Sequence, residues 1–255
     1  MIRGAIGSMD VAQIVIYAFW LFFAGLVWYL RGEDRREGYP LEESNGRIRG
    51  HDFVLIPAPK TFFLANGKKV QAPNYVADTR PVNGAKVDVT PGAPYLPNGD
   101  PMLAAVGPGS YADRIDETDK TAEGHDLIAP LRVATNYAVS PEGGNPLGAT
   151  VIGADRIAAG TIVDVWVDRA EMLIRYLEVE VAGVTGRRVL LPMMMAQINK
   201  SRGWVNVEAV LGSHFADAPT LANPNQVTKF EEDKITGYFG GGNLYATPAR
   251  QEPLL

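Results

Sequence analysis

Between Val11 and Leu30 the chain reads VAQIVIYAFWLFFAGLVWYL, an unbroken apolar run in which Gln13 is the one strongly polar residue. At about 1.5 Å per residue a helix of this length spans roughly 30 Å, the thickness of a bilayer's hydrocarbon core. The pattern predicts a transmembrane helix over 11–31, with 1–10 as a short segment on the far side. Asp10 and Gln13 have the spacing of a capping box. Trp28 and Tyr29 lie at the opposite end, where aromatic rings favour the membrane–water interface. A secretory signal fits poorly, because the run is long, only Arg3 precedes it and no small-residue cleavage site follows. The run carries no His, Asp, Glu, Lys or Arg, so it offers no imidazole to a pigment metal and no proton relay. Ala18 and Gly25, seven apart, either admit a close neighbouring helix or face lipid.

The next pattern is set by proline. Ten of the eighteen prolines lie between Pro40 and Pro108, in motifs such as Pro57-Ala58-Pro59, Pro91-Gly92-Ala93-Pro94 and Pro97-Asn98-Gly99-Asp100-Pro101. Long helices and central strands are disfavoured there. Yet Phe53, Val54, Leu55, Ile56, Phe62, Phe63, Leu64 and Tyr75 are too apolar for a solvated linker. The stretch 32–108 is therefore expected to lie extended over another surface, with Val70, Val76, Val82 and Val87 in short edge strands.

Beyond about residue 130 the period becomes two. Ile162, Asp164, Trp166 and Asp168 alternate with Val163, Val165 and Val167, and Glu178 and Glu180 alternate with Leu177, Val179 and Val181. Gly183 to Gly186 reads as a turn before Arg188-Val189-Leu190-Leu191, and Trp204-Val205-Asn206-Val207 as a further strand. Short strands with glycine turns predict a small antiparallel β-barrel over 109–248, followed by a tail, 249–255. Ser213 to Ala218 is expected to form one turn at most. A helix is predicted over Lys229–Phe239, with Thr228 and Glu231 as a capping box and Gly240 as its stop. The fold class is thus membrane-anchored and mainly β.

Composition narrows the chemistry. Cysteine is absent, excluding disulfides and thiolate metal sites. The net charge of −5 argues against nucleic acid as a partner. Arg31, Arg35, Arg36, Arg47 and Arg49 follow the apolar run against Arg3 before it, which points to a cytoplasmic C-terminal part and an N-terminus outside. His51, His125 and His214 are far apart and fit no metal spacing. Gly237-Tyr238-Phe239-Gly240-Gly241-Gly242 follows no strand, so a turn or close-packing role is favoured over dinucleotide binding.

Acidic groups are the remaining candidates. Asp168, Glu171 and Arg175 bracket the connection between the two best strands. Glu231-Glu232-Asp233 follows Phe230, and Asp116, Glu117, Asp119, Glu123 and Asp126 surround His125. Neighbouring carboxylates titrate as coupled groups and, with an imidazole, pass protons through bridging waters. The competing reading is a set of solvated turn charges.

The order of motifs resembles the H subunit of the photosynthetic reaction centre of purple bacteria. It runs through Tyr17-x-x-Trp20, Ala24-Gly25-Leu26, Arg36-Glu37-Gly38-Tyr39-Pro40-Leu41-Glu42, Pro59-Lys60-Thr61-Phe62, Gly99-Asp100-Pro101-Met102 and Gly107-Pro108. It continues through Gly124-His125, Asn145-Pro146-x-Gly148, Val163-Asp164-x-Trp166-Val167-Asp168, Leu177-Glu178-Val179-Glu180 and Leu190-Leu191-Pro192-Met193. Glu231-Glu232-Asp233-Lys234-Ile235 and Gly237-Tyr238 with Gly241-Gly242 and Tyr245-Ala246 close the series. The resemblance implies a PRC-barrel-type domain in the cytoplasm of an intracytoplasmic membrane, docked under the L and M subunits. A cytochrome subunit, the light-harvesting ring and membrane lipids are further candidate neighbours. Bacteriochlorophyll, bacteriopheophytin, quinones and non-haem iron belong to L and M, with none bound directly by this chain. The implied roles are non-enzymatic: stabilising the complex, shielding the secondary quinone and feeding it protons.

Residue by residue, the resemblance makes His125 a surface histidine where protons come in. Asp168, Glu171 and Arg175 become groups along the interior route, and Glu232 an acid near the quinone. Two positions depart from the family pattern. Glu123 stands where a second histidine is common, and Gln226 where an acid is common. The uptake point is then expected to be rebuilt on Glu123 and Asp126, weakening any divalent-metal inhibition there. Two rivals are a membrane-tethered PRC-barrel adaptor for a soluble protein and an anchored hydrolase using the acids.

Overall fold

The structure, a computed structural model, describes residues 10–41, 47, 56–64, 67–76, 79–90, 93–140 and 142–251. Expectations resting on Arg3, Arg49, His51, Phe53 to Leu55, Pro91-Gly92 and the tail beyond Gln251 lie outside these residues. The chain divides into two compact units. One carries the apolar helix, up to Thr79 together with 89–93; the other comprises 80–88 and everything from Pro94.

In the first unit α1 runs Val11–Glu33 and continues as a 3₁₀ turn over Asp34–Arg36. None of its side chains is buried within the chain. The expected capping box is not formed: Asp10 occupies the N-cap position without a side-chain bond, and only its backbone carbonyl accepts, from Ile14 N–H at 3.2 Å. Strands β1 (Lys60–Phe63) and β2 (Lys69–Ala72) form an antiparallel hairpin pairing Lys60 with Ala72 and Phe63 with Lys69. Val70 is in this hairpin as expected, whereas Val76 lies in irregular chain.

In the second unit β3 (Gly84–Lys86) pairs with β4 (Tyr95–Pro97), flanked rather than filled by Val82 and Val87. A seven-stranded sheet follows: β5 (Ile128–Pro130), β6 (Thr150–Ile152), β7 (Ala158–Asp168), β8 (Leu173–Val181), β9 (Arg188–Pro192), β10 (Gln197–Asn199) and β11 (Trp204–Asn206). Its order is β10-β11-β6-β7-β8-β9, with β5 pairing a further stretch of β7. The sheet is open, and β11 runs parallel to β6, so it is neither closed nor wholly antiparallel. Gly183 and Gly186, at φ +76° and +73°, turn β8 into β9.

Strand β7 is buried on both faces from Asp164 to Asp168. Trp166, Val165, Ile162, Leu177, Val179 and Leu191 form the core with Phe215 and Phe239. The final helix, α2, spans Lys229–Tyr245. Thr228 and Glu231 form the predicted capping box: the Thr228 hydroxyl accepts from Glu231 N–H at 3.1 Å, and the Glu231 carboxylate accepts from Thr228 N–H at 2.9 Å. Gly240 does not end the helix. The glycines after it form a bare face where side chains would collide: a Cβ at Gly242 would lie 2.4 Å from the Ala209 carbonyl, and one at Gly241 2.9 Å from Gly109 Cα. Tertiary contact thereby overrides the weak helix propensity of glycine.

Candidate functional site

The β7–β8 turn gathers three of the candidate residues. Asp168, 1% exposed, accepts the backbone N–H groups of Ala170 and Glu171 on Oδ1, both at 2.9 Å. Its Oδ2 accepts from Arg175 Nε and Nη2, both at 3.1 Å. Four donors thus converge on one buried carboxylate, which closes the turn and aims Arg175. The same guanidinium reaches the exposed Glu171 at 3.0 Å, an i,i+4 pair.

Next to Arg175 along β8, the buried Tyr176 donates its hydroxyl proton to Glu232 Oε2 at 2.9 Å. Arg175, Tyr176, Glu232 and Asp233 line an open groove of about 860 Å3, walled by Ser110, Tyr111, Arg114 and Met193 to Met195. Burial raises the Glu232 pKa above the ordinary glutamate value, and the Tyr176 hydrogen bond with the charges of Arg114 and Arg175 only partly offsets it. Burial together with the Glu232 charge pushes the Tyr176 phenol well up, so it stays a donor. Glu232 is therefore a carboxyl of raised proton affinity at the wall of a solvent-open groove.

Glu123, His125 and Asp126 sit on a separate turn closed by a bridge between Lys120 and Asp126. Glu123 and His125 are exposed. The Thr121 hydroxyl and its own backbone N–H hold Glu123 below the usual glutamate range. Burial opposes ionisation of Asp126, but bonds from Lys120, Thr118 and Gln226 outweigh it and lower its pKa. Gln226, the position that cannot ionise, donates to Asp126 Oδ2 at 3.1 Å and ties the turn to the approach to α2. The turn leads into β5, where Ile128 pairs with Asp168 and Arg169 N–H donates to Leu127 O at 2.9 Å. This places Asp126 one strand away from the β7–β8 turn. Among the described residues, no side-chain hydrogen bond or ion pair joins Glu123 or His125 to the Asp168 group.

A second carboxylate network was not foreseen. Asp164 and Glu178 stand directly opposite on β7 and β8, an arrangement that two like charges disfavour. Arg132 Nη1 bridges them, at 2.8 Å to Asp164 and 2.6 Å to Glu178. Trp166 Nε1 donates to Glu178 at 2.9 Å and Arg188 adds an ion pair at 3.3 Å. These carboxylates outweigh the cost of burying the Arg132 guanidinium and raise its pKa. One clue was present in the chain: acidic residues interrupt two otherwise apolar strands at positions that prove to be paired. Among the described residues no three His, Asp or Glu groups converge to hold a metal ion.

An apolar helix long enough to cross a bilayer, ahead of a mainly β domain, defines a membrane-anchored protein. Residues 142–213 match the model of the PRC-barrel domain. Residues 4–133 match the model of the photosynthetic reaction centre, H-chain N-terminal region. The chain belongs to the photosynthetic reaction centre H-chain family. It is a structural subunit of a reaction centre and associates with that complex's core.

Proposed function

We propose that this chain caps the cytoplasmic side of an L/M core in the bacterial inner membrane, its N-terminus outside, and conducts protons to the secondary quinone that it shields. The pigments, quinones and iron belong to L and M. A quinone that receives two electrons in a low-dielectric site needs two protons, because unpaired charge there is costly. The observation that carries the reading is Glu232: half-buried, raised in proton affinity, held by Tyr176 and placed beside Arg175 in an open groove. Asp233 on the same groove, and Glu171 paired with Arg175 beside it, supply further carboxyls. Asp168, saturated by four donors, acts by positioning Arg175. Glu123, His125 and Asp126 gather protons at the surface one strand away.

The test is flash-induced proton uptake by the assembled complex. Glu232→Gln slows the proton-coupled second electron transfer by about tenfold, below a positioned donor's full contribution because Glu171 and Asp233 offer bypasses. Glu171→Gln slows it less, and His125→Ala least. Unchanged kinetics in Glu232→Gln, or His125→Ala exceeding Glu171→Gln, refutes the assignment.

A further inference from the structure

The β1–β2 hairpin has almost no core of its own. Phe62, Phe63 and Val70 are 42%, 74% and 37% exposed, and a two-stranded hairpin is marginal in water without a covering surface. Its base is clamped to the end of α1. Lys60 pairs with Glu33 at 2.8 Å and donates to the Tyr29 hydroxyl at 3.3 Å, with its ammonium 5.4 Å over the Tyr29 ring. Arg36 donates to the Ala58 carbonyl at 2.8 Å and the Ala72 carbonyl at 3.0 Å, holding both ends of the hairpin. Tyr29 belongs to the interfacial belt of the anchor, so these contacts hold the hairpin base at headgroup depth.

Charge points the same way. From Lys60 to Ala72 there are three lysines, Lys60, Lys68 and Lys69, and no acidic residue, in a chain whose net charge is −5. Lys69 lies 5.2 Å over the exposed Phe63 ring, pairing a cation with an aromatic wedge as interfacial segments do. We propose that the β1–β2 hairpin is a membrane-contact element: Phe63 inserts at the acyl–headgroup boundary and Lys68 and Lys69 bind anionic phospholipid headgroups. The proposal rests on the anchor spanning the bilayer. It adds to that anchor a second, composition-sensitive hold on the membrane, worth about fivefold in partition per lysine.

The chain has no cysteine, so one introduced thiol takes a spin label uniquely. Full-length chains carrying Thr61→Cys, on the hairpin face shared with Phe63, are reconstituted into vesicles of phosphatidylcholine alone or mixed equally with phosphatidylglycerol. Val15→Cys reports the anchor and Ala182→Cys a solvent-exposed turn. In mixed vesicles the label at 61 is expected to collide more with dissolved oxygen than with an aqueous nickel chelate. It is expected to approach the behaviour of position 182 in phosphatidylcholine alone, and in a Lys68→Glu, Lys69→Glu background. Aqueous exposure at 61 in both lipids, with the label at 15 in lipid, overturns the hairpin proposal and leaves the anchor intact. Shielding that arises only when core subunits are added also overturns it and assigns the hairpin to a protein partner. An aqueous label at 15 removes the anchor and the proposal with it.

Discussion

Strands β7 and β8 carry two carboxylate networks of similar composition and opposite character. At the strand centres, Asp164 and Glu178 face each other and share Arg132, and Trp166 donates to Glu178. At the strand ends, Asp168, Glu171 and Arg175 lead to Tyr176 and Glu232 at an open groove. The first network has each charge answered by a cation, as buried charge requires. The second leaves one acid, Glu232, short of compensation and therefore inclined to keep its proton. The difference is that compensation makes a carboxylate structural, while incomplete compensation beside solvent makes it a candidate carrier.

Substitutions separate the two. The largest stability loss is expected for Arg132→Ala, which leaves two buried carboxylates opposed without their shared cation, at about 3 kcal/mol. Chemical unfolding of the detergent-solubilised chain measures it, while proton uptake in surviving complexes stays near the parent rate. Arg175→Ala is expected to cost less, about 2 kcal/mol, because Asp168 keeps its two backbone donors. Here proton uptake also slows, since the groove loses one of its two arginines, Arg114 remaining.

Glu232→Gln reverses the sign. With its pKa raised on folding, the folded chain holds this proton more tightly than the unfolded chain. The resulting stabilisation is complete below the ordinary glutamate pKa and is lost as pH rises through the raised value. The variant is thus expected to gain on the parent progressively as pH rises above the ordinary glutamate pKa, read from unfolding midpoints in a pH series. A flat difference would return Glu232 to the class of solvated charges. Smallest is His125→Ala, an exposed position, within about 0.5 kcal/mol of the parent.

Much of this architecture was legible in the chain because it rests on local signals. The apolar run, the alternation in β7 and β8, the Gly183–Gly186 turn and the Thr228–Glu231 cap each involve neighbours in sequence. What escaped depends on distance. Arg132 lies 32 residues from Asp164 and 46 from Glu178, so nothing local marks the bridge. Alternation also misleads where both faces are covered: Glu178 is buried and Glu180 exposed on the same side of the pattern. The parallel β6–β11 pairing follows from chain return rather than from any dipeptide. Asp168, Glu171 and Arg175 were grouped from sequence because a turn unites them; Tyr176 was passed over because nothing in the chain links it to Glu232.

The bare face of α2 has a consequence for how this molecule changes over generations. A Cβ at Gly237 would lie 2.9 Å from the Ser110 carbonyl, as tight as that of Gly241 against Gly109. Main chain meets main chain, with no flexible side chain between to absorb an error. Segments 107–110 and 237–242 must therefore drift together or not at all, a lockstep that carries the Glu232 carboxyl as its passenger one turn upstream.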